Sequence, residues 1–205
     1  MKRAFEKVPS VLWIILMFSL FLNAAFLFQS YRRNIVTQVP DGDSLQMADG
    51  RRVRLLGLDA PERGLCMADE AQSALLTAVK GRHVRLKNIV TDDYGRQLAH
   101  VFVGRTDLNA FMVERGLARS SSGYKTMQDT AKTQKLGIWS DTCRKTSNPE
   151  CDIKGNIKEG KKTYHLPTCD HYAITIIDTS YGDMWFCSEE EAAKAGFSKA
   201  SGCLP

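Results

Sequence analysis

The sequence predicts an α+β protein in three parts: an apolar N-terminal segment, a small β-barrel with packed helices, and a compact cysteine-rich tail. Three observations carry this reading. Val11 to Phe28 is a stretch without a single charge. Between Ile35 and Asp141 strand-like and helical runs follow one another, but without the regular strand–helix–strand repetition of a parallel sheet. Four of the six cysteines stand beyond residue 150. A chain of 205 residues has room for one good core and a smaller module, since domains usually run to about 100–150 residues. With 43% hydrophobic and 25% charged residues it is neither disordered nor fibrous, and it has no internal repeat or low-complexity tract.

The first element is "VLWIILMFSLFLNAAFLF", residues 11–28, preceded by Lys2, Arg3 and Lys7. Its length is roughly the 18 residues at which a spanning helix becomes the leading reading, and the basic flank directs the rest of the chain out of the cytoplasm. Residues 1–30 are therefore read as a membrane anchor. The small residues at Asn23-Ala24-Ala25 allow a cleaved signal instead, but the apolar run continues past them. Apolarity on every face argues against a buried core helix.

The first module covers 35–141. "VRLLGLDAP" from Val53 reads as a strand stopped by Pro61, and "HVRLKNIV" from His83 as a strand with one face buried. "DEAQSALLTAV" from Asp69 is a helix with Ala71, Leu75 and Ala78 on one side. "LNAFMVERG" is a second helix, closed by Gly116 at the position past the end that favours glycine. A third runs from about Tyr124 to Lys135. Residues 142–150, polar and carrying Pro149, read as a linker. The tail, 151–205, is too short to fold unaided and needs its cysteines. An even cysteine count behind an export segment makes disulfides the default. The chain has no CxxC pair, so the case for zinc is weak.

One segment concentrates chemistry. Between residues 41 and 62 stand Asp41, Asp43, Asp59 and Glu62, with Arg54 among them. Each turn alone is ordinary Asp-Gly chemistry. Neighbouring strands bringing these ends together would create a cluster of hard oxygen ligands in like-charge repulsion, which persists only around a cation. "DDYGRQLAHV" from Asp92 adds Arg96 after a glycine turn. Arg54 and Arg96 then offer two planar forks for phosphate oxygens. A cation, a free carboxylate and guanidinium groups are the requirements of phosphodiester hydrolysis. Residues 35–141 hold fifteen Lys and Arg against thirteen Asp and Glu, a balance of +2, modest for a nucleic-acid binder.

"VPDGDSL", "RVRLLGLDAPE", "DDYGRQLAHVFV", "LNAFMVERGLA" and "KLGIWS", in this order, closely resemble the staphylococcal thermonuclease family. The resemblance implies a five-stranded OB barrel with three helices and a calcium-dependent nuclease acting on DNA or RNA, leaving 5′-hydroxyl and 3′-phosphate ends. It assigns Asp43, Asp59 and the backbone carbonyl of Ala60 to calcium, Asp41 to orienting the metal's waters, and Glu62 to the general base. Arg54 and Arg96 match the phosphate-contacting arginines, and Tyr94 and Tyr124 match positions lining the nucleotide pocket. Asp93 and Ser122 replace a lysine and a tyrosine of the family prototype, which weakens nucleotide contacts without removing a group needed for the chemistry. The alternative from another class is an OB module that binds nucleic acid without cutting. Survival of the acids and arginines together favours the enzyme. The export segment places it on a membrane facing the periplasm or cell exterior, or outside the cell if the segment is cleaved.

The tail more loosely resembles the four-cysteine metal-binding domain of the Ada-type DNA repair protein, but only Cys169 and Cys203 fall on ligand positions. His165 and Ala200 replace cysteines there, a poor zinc set. Six cysteines allow many connectivities. A Cys66–Cys143 bridge would tie the end of the first module to its acidic loop. Related tails keep the cysteines matching Cys151 and Cys187, and the positions of Cys169 and Cys203 share one metal in the Ada-type domain. The resemblance thus implies Cys151–Cys187 and Cys169–Cys203.

Overall fold

The computed structural model describes residues 10–203, so the basic residues Lys2, Arg3 and Lys7 lie outside the described residues. Helix α1 (Ser10–Arg33) is 24 residues long, about 36 Å at the α-helical rise, enough to cross a hydrocarbon core of about 30 Å. Within Val11–Arg33 an 18-residue window has a mean hydropathy of 2.4, and none of that window is buried against the rest of the protein. Arg32 and Arg33 occupy its last turn, where cations complement the helix dipole.

Next come β1 (Val36–Asp41), β2 (Ser44–Met47), β3 (Arg52–Leu55), β4 (Leu58–Asp59), α2 (Ala68–Val79), β5 (Arg85–Thr91), β6 (Gln97–Val103), β7 (Thr106–Asp107), α3 (Leu108–Glu114), β8 (Arg119–Ser120), α4 (Lys125–Thr133) and a 3-10 turn at Gly137–Trp139. The main sheet runs β1-β2-β3-β6-β5 with β7 added on β6, and only the β3–β6 pair is parallel. The ladder has six strands, and its strand pairings alone close no barrel. Its two edges meet at a single bridge, Ile35 with His83, where Val84 N donates to Asn34 O at 2.8 Å. Leu45, Val53, Leu55, Ala99 and Val101 from the sheet, Ala71, Leu75 and Val79 from α2, and Leu108, Met112 and Val113 from α3 form one core.

Two strand expectations need correction. The run from Val53 breaks after Leu55, because Gly57 turns the chain at φ 80° and β4 leaves the main sheet to pair with β8. The buried face of the run from His83 stops halfway: Val84 is buried and Leu86 packs against the core, but a bulge lies between Lys87 and Val90, Asn88 takes φ 52°, and Ile89 and Val90 stay exposed. The bulge breaks the alternation that the apolar pattern suggested.

The helices form as the pattern indicates. Ala71 and Leu75 of α2 are buried. Helix α3 starts on the Asp107 carboxylate, which accepts from Asn109 N and Ala110 N, and closes at Gly116 with φ 66°. There Gly116 N donates to Val113 O and Leu117 N to Met112 O, the paired bonds of a Schellman ending.

After the 3-10 turn come β9 (Arg144–Lys145), and in the tail β10 (Ile153–Lys158), β11 (Lys161–His165), β12 (Ile177–Asp178), β13 (Met184–Phe186), α5 (Glu189–Lys194) and β14 (Ser198–Lys199). Its sheet, β13-β10-β11-β14, carries a small core of Ile153, Tyr164, Phe186, Ala192 and Phe197. Within residues 142–150, read above as a linker, β9 pairs with β12. Disulfides join Cys66 to Cys143, Cys151 to Cys187 and Cys169 to Cys203. The two tail bridges have sequence separations of 36 and 34 residues, and loops of this size contribute about 3–4 kcal/mol each by chain entropy.

Gly42 is required by closeness rather than by turn conformation. A Cβ there would stand 2.7 Å from the Ala71 methyl and 2.8 Å from that of Ala60. Gly42→Ala is therefore expected to cost about 1–3 kcal/mol through overpacking. Ala71→Gly should cost less in that background than in the wild type, and a double-mutant cycle by denaturant unfolding checks both.

Candidate active site

The acidic segment is built by two hairpins and a helix. Strands β1 and β2 meet at Asp41 and Ser44, and the turn between them presses against α2 through Gly42. From α2, Gln72 Nε2 donates to Val39 O at 2.8 Å and Pro40 O at 2.9 Å, fixing the strand end that carries Asp41. Leu55 N donates to Asp43 O at 2.8 Å, which sets β3 and Arg54 beside the turn.

Asp43 is 2% exposed. Its Oδ2 accepts from Ala60 N at 3.1 Å and lies 2.7 Å from Arg54 Nη2, while Ser44 Oγ donates to its Oδ1 at 3.0 Å. The same Arg54 nitrogen bridges to Asp59. Asp41 Oδ1 accepts from Asp43 N at 3.2 Å. Burial pushes the Asp43 carboxyl from its ordinary 3.8 up to about 7; Arg54 and the Ala60 amide pull it down, and the Asp41 charge adds to the rise. Desolvation of a carboxylate outweighs a single guanidinium here.

In front of these groups lies a cleft of about 210 Å³, lined by Asp41, Ser44, Arg52, Arg54, Glu62 and Arg96 among others. A narrow recess beside it is bordered by Asp41, Gly42, Asp43, Ala60, Pro61 and Glu62. Arg96 is held by Asp92, whose carboxylate accepts from Arg96 Nε at 2.7 Å and from its backbone N at 2.8 Å. Desolvation is the largest single influence on Asp92 and raises it, but the hydrogen bonds from Arg96 and the Tyr94 amide, with the Arg96 charge, together hold it below its usual range. Tyr94 is exposed and lies beside Arg96, 5.3 Å from guanidinium carbon to ring centre.

The structure thus brings Asp41, Arg54, Glu62 and Arg96 to one cleft, with Asp43 and Ala60 behind it and Asp59 linked through Arg54. It does not bring Tyr124 there. Tyr124 is buried in the core, and its hydroxyl pairs with His100 Nδ1 at 2.8 Å. Burial, with the Asp107 charge, pushes that phenol up to about 12. An aromatic side chain next to a helix start carries no sequence signal that separates core from pocket.

Sequence reading also missed Ser44 and Arg52 on the cleft, and Asn109, which is fully buried. Asn109 Nδ2 donates to Leu56 O at 2.8 Å and Ala99 O at 3.2 Å, and its Oδ1 accepts from Val101 N at 2.9 Å. It ties α3 to β6 and to the turn that comes after Arg54. A polar residue inside an apolar helical run was the available clue.

Among the described residues no three His, Cys, Asp or Glu side chains surround one point. The donors here are oxygen only: two carboxylates and main chain, with a third carboxylate adjacent. Arg54 stands in for a cation between Asp43 and Asp59. A hard cation that keeps several waters suits such a set, and zinc does not. In the tail, Cys169 and Cys203 are consumed by their disulfide, which leaves no zinc set with His165.

Over residues 52–141 the sequence matches the family described as staphylococcal nuclease homologue. A protein of Escherichia coli O157:H7 named "Uncharacterized endonuclease" is 34% identical over 116 residues, 52% of this chain and 76% of that protein. The "Micrococcal nuclease" of Shigella flexneri is 33% identical over 129 residues, 53% of this chain and 74% of that protein. A "Probable staphylococcal-like nuclease" of Oryza sativa subsp. japonica is 29% identical over 109 residues, 50% of this chain and 33% of that protein.

The raised Asp43 carboxyl makes stability depend on pH with a definite sign. Folded Asp43 holds its proton up to about 7, whereas the unfolded group releases it near 3.8. This contribution is fully present below the unfolded value and is lost as pH rises through about 7. In chelator, the melting temperature of the wild type should fall across that window relative to Asp43→Asn, and a difference independent of pH would contradict the assignment.

Proposed function

Because the chain belongs to the family of staphylococcal nuclease homologues and is a phosphodiester-hydrolysing nuclease, we propose that it cuts DNA or RNA outside the cytoplasm by a calcium-dependent attack of water. The observation that carries this reading is the single cleft on which Arg54, Arg96, Glu62 and Asp41 converge in front of buried Asp43. We read the open main sheet, with its edges meeting at Ile35 and His83, as an OB-type barrel.

In this mechanism the scissile phosphate enters the cleft against Arg54 and Arg96, whose planar forks match its oxygens. Glu62 takes a proton from water, and the water oxygen bonds to phosphorus. The bond to the 5′ oxygen breaks, and that oxygen takes a proton from solvent and leaves as an alcohol, while Glu62 returns its proton to solvent. The products are a 5′-hydroxyl and a 3′-phosphate. Arg54 and Arg96 stabilise the negative charge that builds on the phosphoryl oxygens. Asp43, Asp59 and the Ala60 carbonyl are the residues to hold calcium, with Asp41 orienting its waters; when bound, the ion neutralises phosphate charge. Exposed Tyr94, next to Arg96, is placed to pack against a nucleotide.

Helix α1 supports this location. Its apolar stretch suits a membrane anchor, and three disulfides suit an oxidising compartment. The nuclease and tail then face the periplasm or the cell exterior, where cutting spares the cell's own genome.

For the full chain in detergent, Arg96→Ala and Glu62→Gln should each lower kcat by about two or more orders of magnitude, the scale of losing a base or an oxyanion clamp. Their melting temperatures should stay near that of the wild type. Full activity in Arg96→Ala would overturn its role. Chelation should abolish cutting and added calcium restore it, followed by gel electrophoresis of a labelled strand; activity undiminished by excess chelator would overturn the metal assignment.

A further inference from the structure

The tail grips the nuclease module at the back of the proposed metal strand. Arg119 on β8 stands opposite Asp59 of β4 in antiparallel register. Its guanidinium is held by tail residues: Nη2 donates to Asp178 Oδ2 at 2.8 Å and Ser180 Oγ at 2.7 Å, and Nη1 donates to Ser180 O at 3.3 Å. The rings of Trp139 and Tyr181 lie 5.3 and 5.1 Å from its central carbon. Asp178 also faces Arg144 at 3.5 Å, and its backbone N donates to Asp183 Oδ2 at 3.0 Å. Asp183 Oδ1 in turn accepts from Ile157 N of β10 at 2.7 Å, so the clamp is rooted in the tail's own sheet.

The same segment reaches the loop after Glu62. Cys66 N donates to Thr179 O at 3.4 Å, and Thr179 N donates to Cys143 O at 2.9 Å. Residues 178–180 therefore touch both the strand partner of Asp59 and the Cys66–Cys143 bridge that ends the Glu62 loop. Ser180 is 1% exposed, and the Arg119–Asp178 pair is mostly shielded from water, unlike a surface ion pair of little consequence.

We propose that Asp178 and Ser180 of the C-terminal module are positioning residues for the nuclease site: by clamping Arg119 they fix β8 and, through it, Asp59 on β4, so that the tail sets the affinity of the site for its cation. The inference rests on the calcium reading given above. Removing partners that orient a metal ligand typically weakens binding about 10- to 100-fold.

The test uses the full chain in detergent, with calcium alone titrated by calorimetry and with terbium luminescence as a second readout. Asp178→Asn and Ser180→Ala should each weaken calcium binding about tenfold or more. At saturating calcium kcat should return to near the wild-type value, with the calcium requirement for activity shifted in parallel. A role in packing alone would lower the melting temperature without moving the binding isotherm. If Asp178→Asn fails to fold, Ser180→Ala, which deletes one hydroxyl, carries the test. Calcium isotherms that match the wild type overturn the inference and leave the nuclease reading intact. A wild-type chain that binds no calcium overturns the metal reading and this inference with it.

Discussion

The structure around the cleft depends on one electrostatic constraint: the Asp43 carboxylate is buried, and Arg54 must reach it. Taking a carboxylate from water is costly unless charge and hydrogen bonds replace its hydration. Arg54, the Ala60 amide and the Ser44 hydroxyl supply that replacement. It is incomplete, and the carboxyl sits at about 7. A second positive charge in the recess would relieve a penalty the fold already carries, which favours the cation proposed for it.

Meeting this constraint requires backbones to approach closely. The Asp41–Asp43 turn, the chain at Ala60 and helix α2 converge on Gly42, where no methyl group fits. Small residues at 42, 60 and 71 bring the carboxylates together, and Gln72 and Asn109 then satisfy the carbonyls that this crowding leaves without strand partners. A buried carbonyl left unpaired would cost about as much as the packing gains, so both amides belong to the site's architecture although neither lines the cleft.

The tail extends the same logic outward. Strand β4 is two residues long and lies off the main sheet; a pair of such short strands is marginal unless something braces it. The Cys66–Cys143 bridge holds the loop beyond it, and Arg119 with Asp178 and Ser180 holds its partner strand. A module stapled by two disulfides of its own thus braces the partner strand of β4.

Local sequence is enough to specify the apolar helix, the amphipathic helices and the charged residues that meet at the cleft. The signals for these are short in range: apolar runs, three- and four-residue spacing, a glycine past a helix end, and acids beside arginines in compact motifs. Long-range pairing settles the features that such patterns cannot encode. The strand from Val53 breaks at Gly57 because β4 finds its partner in β8, where Asp59 stands opposite Arg119. Strand β5 bulges and exposes Ile89 and Val90 despite their apolarity. Tyr124 turns to His100 in the core instead of the cleft, and residues 144–145, in the polar stretch read as a linker, pair with β12. In each case the outcome comes from hydrogen-bond partners distant in sequence, since a backbone or side-chain polar group takes the partner that the fold brings within reach, and residue type alone does not name it.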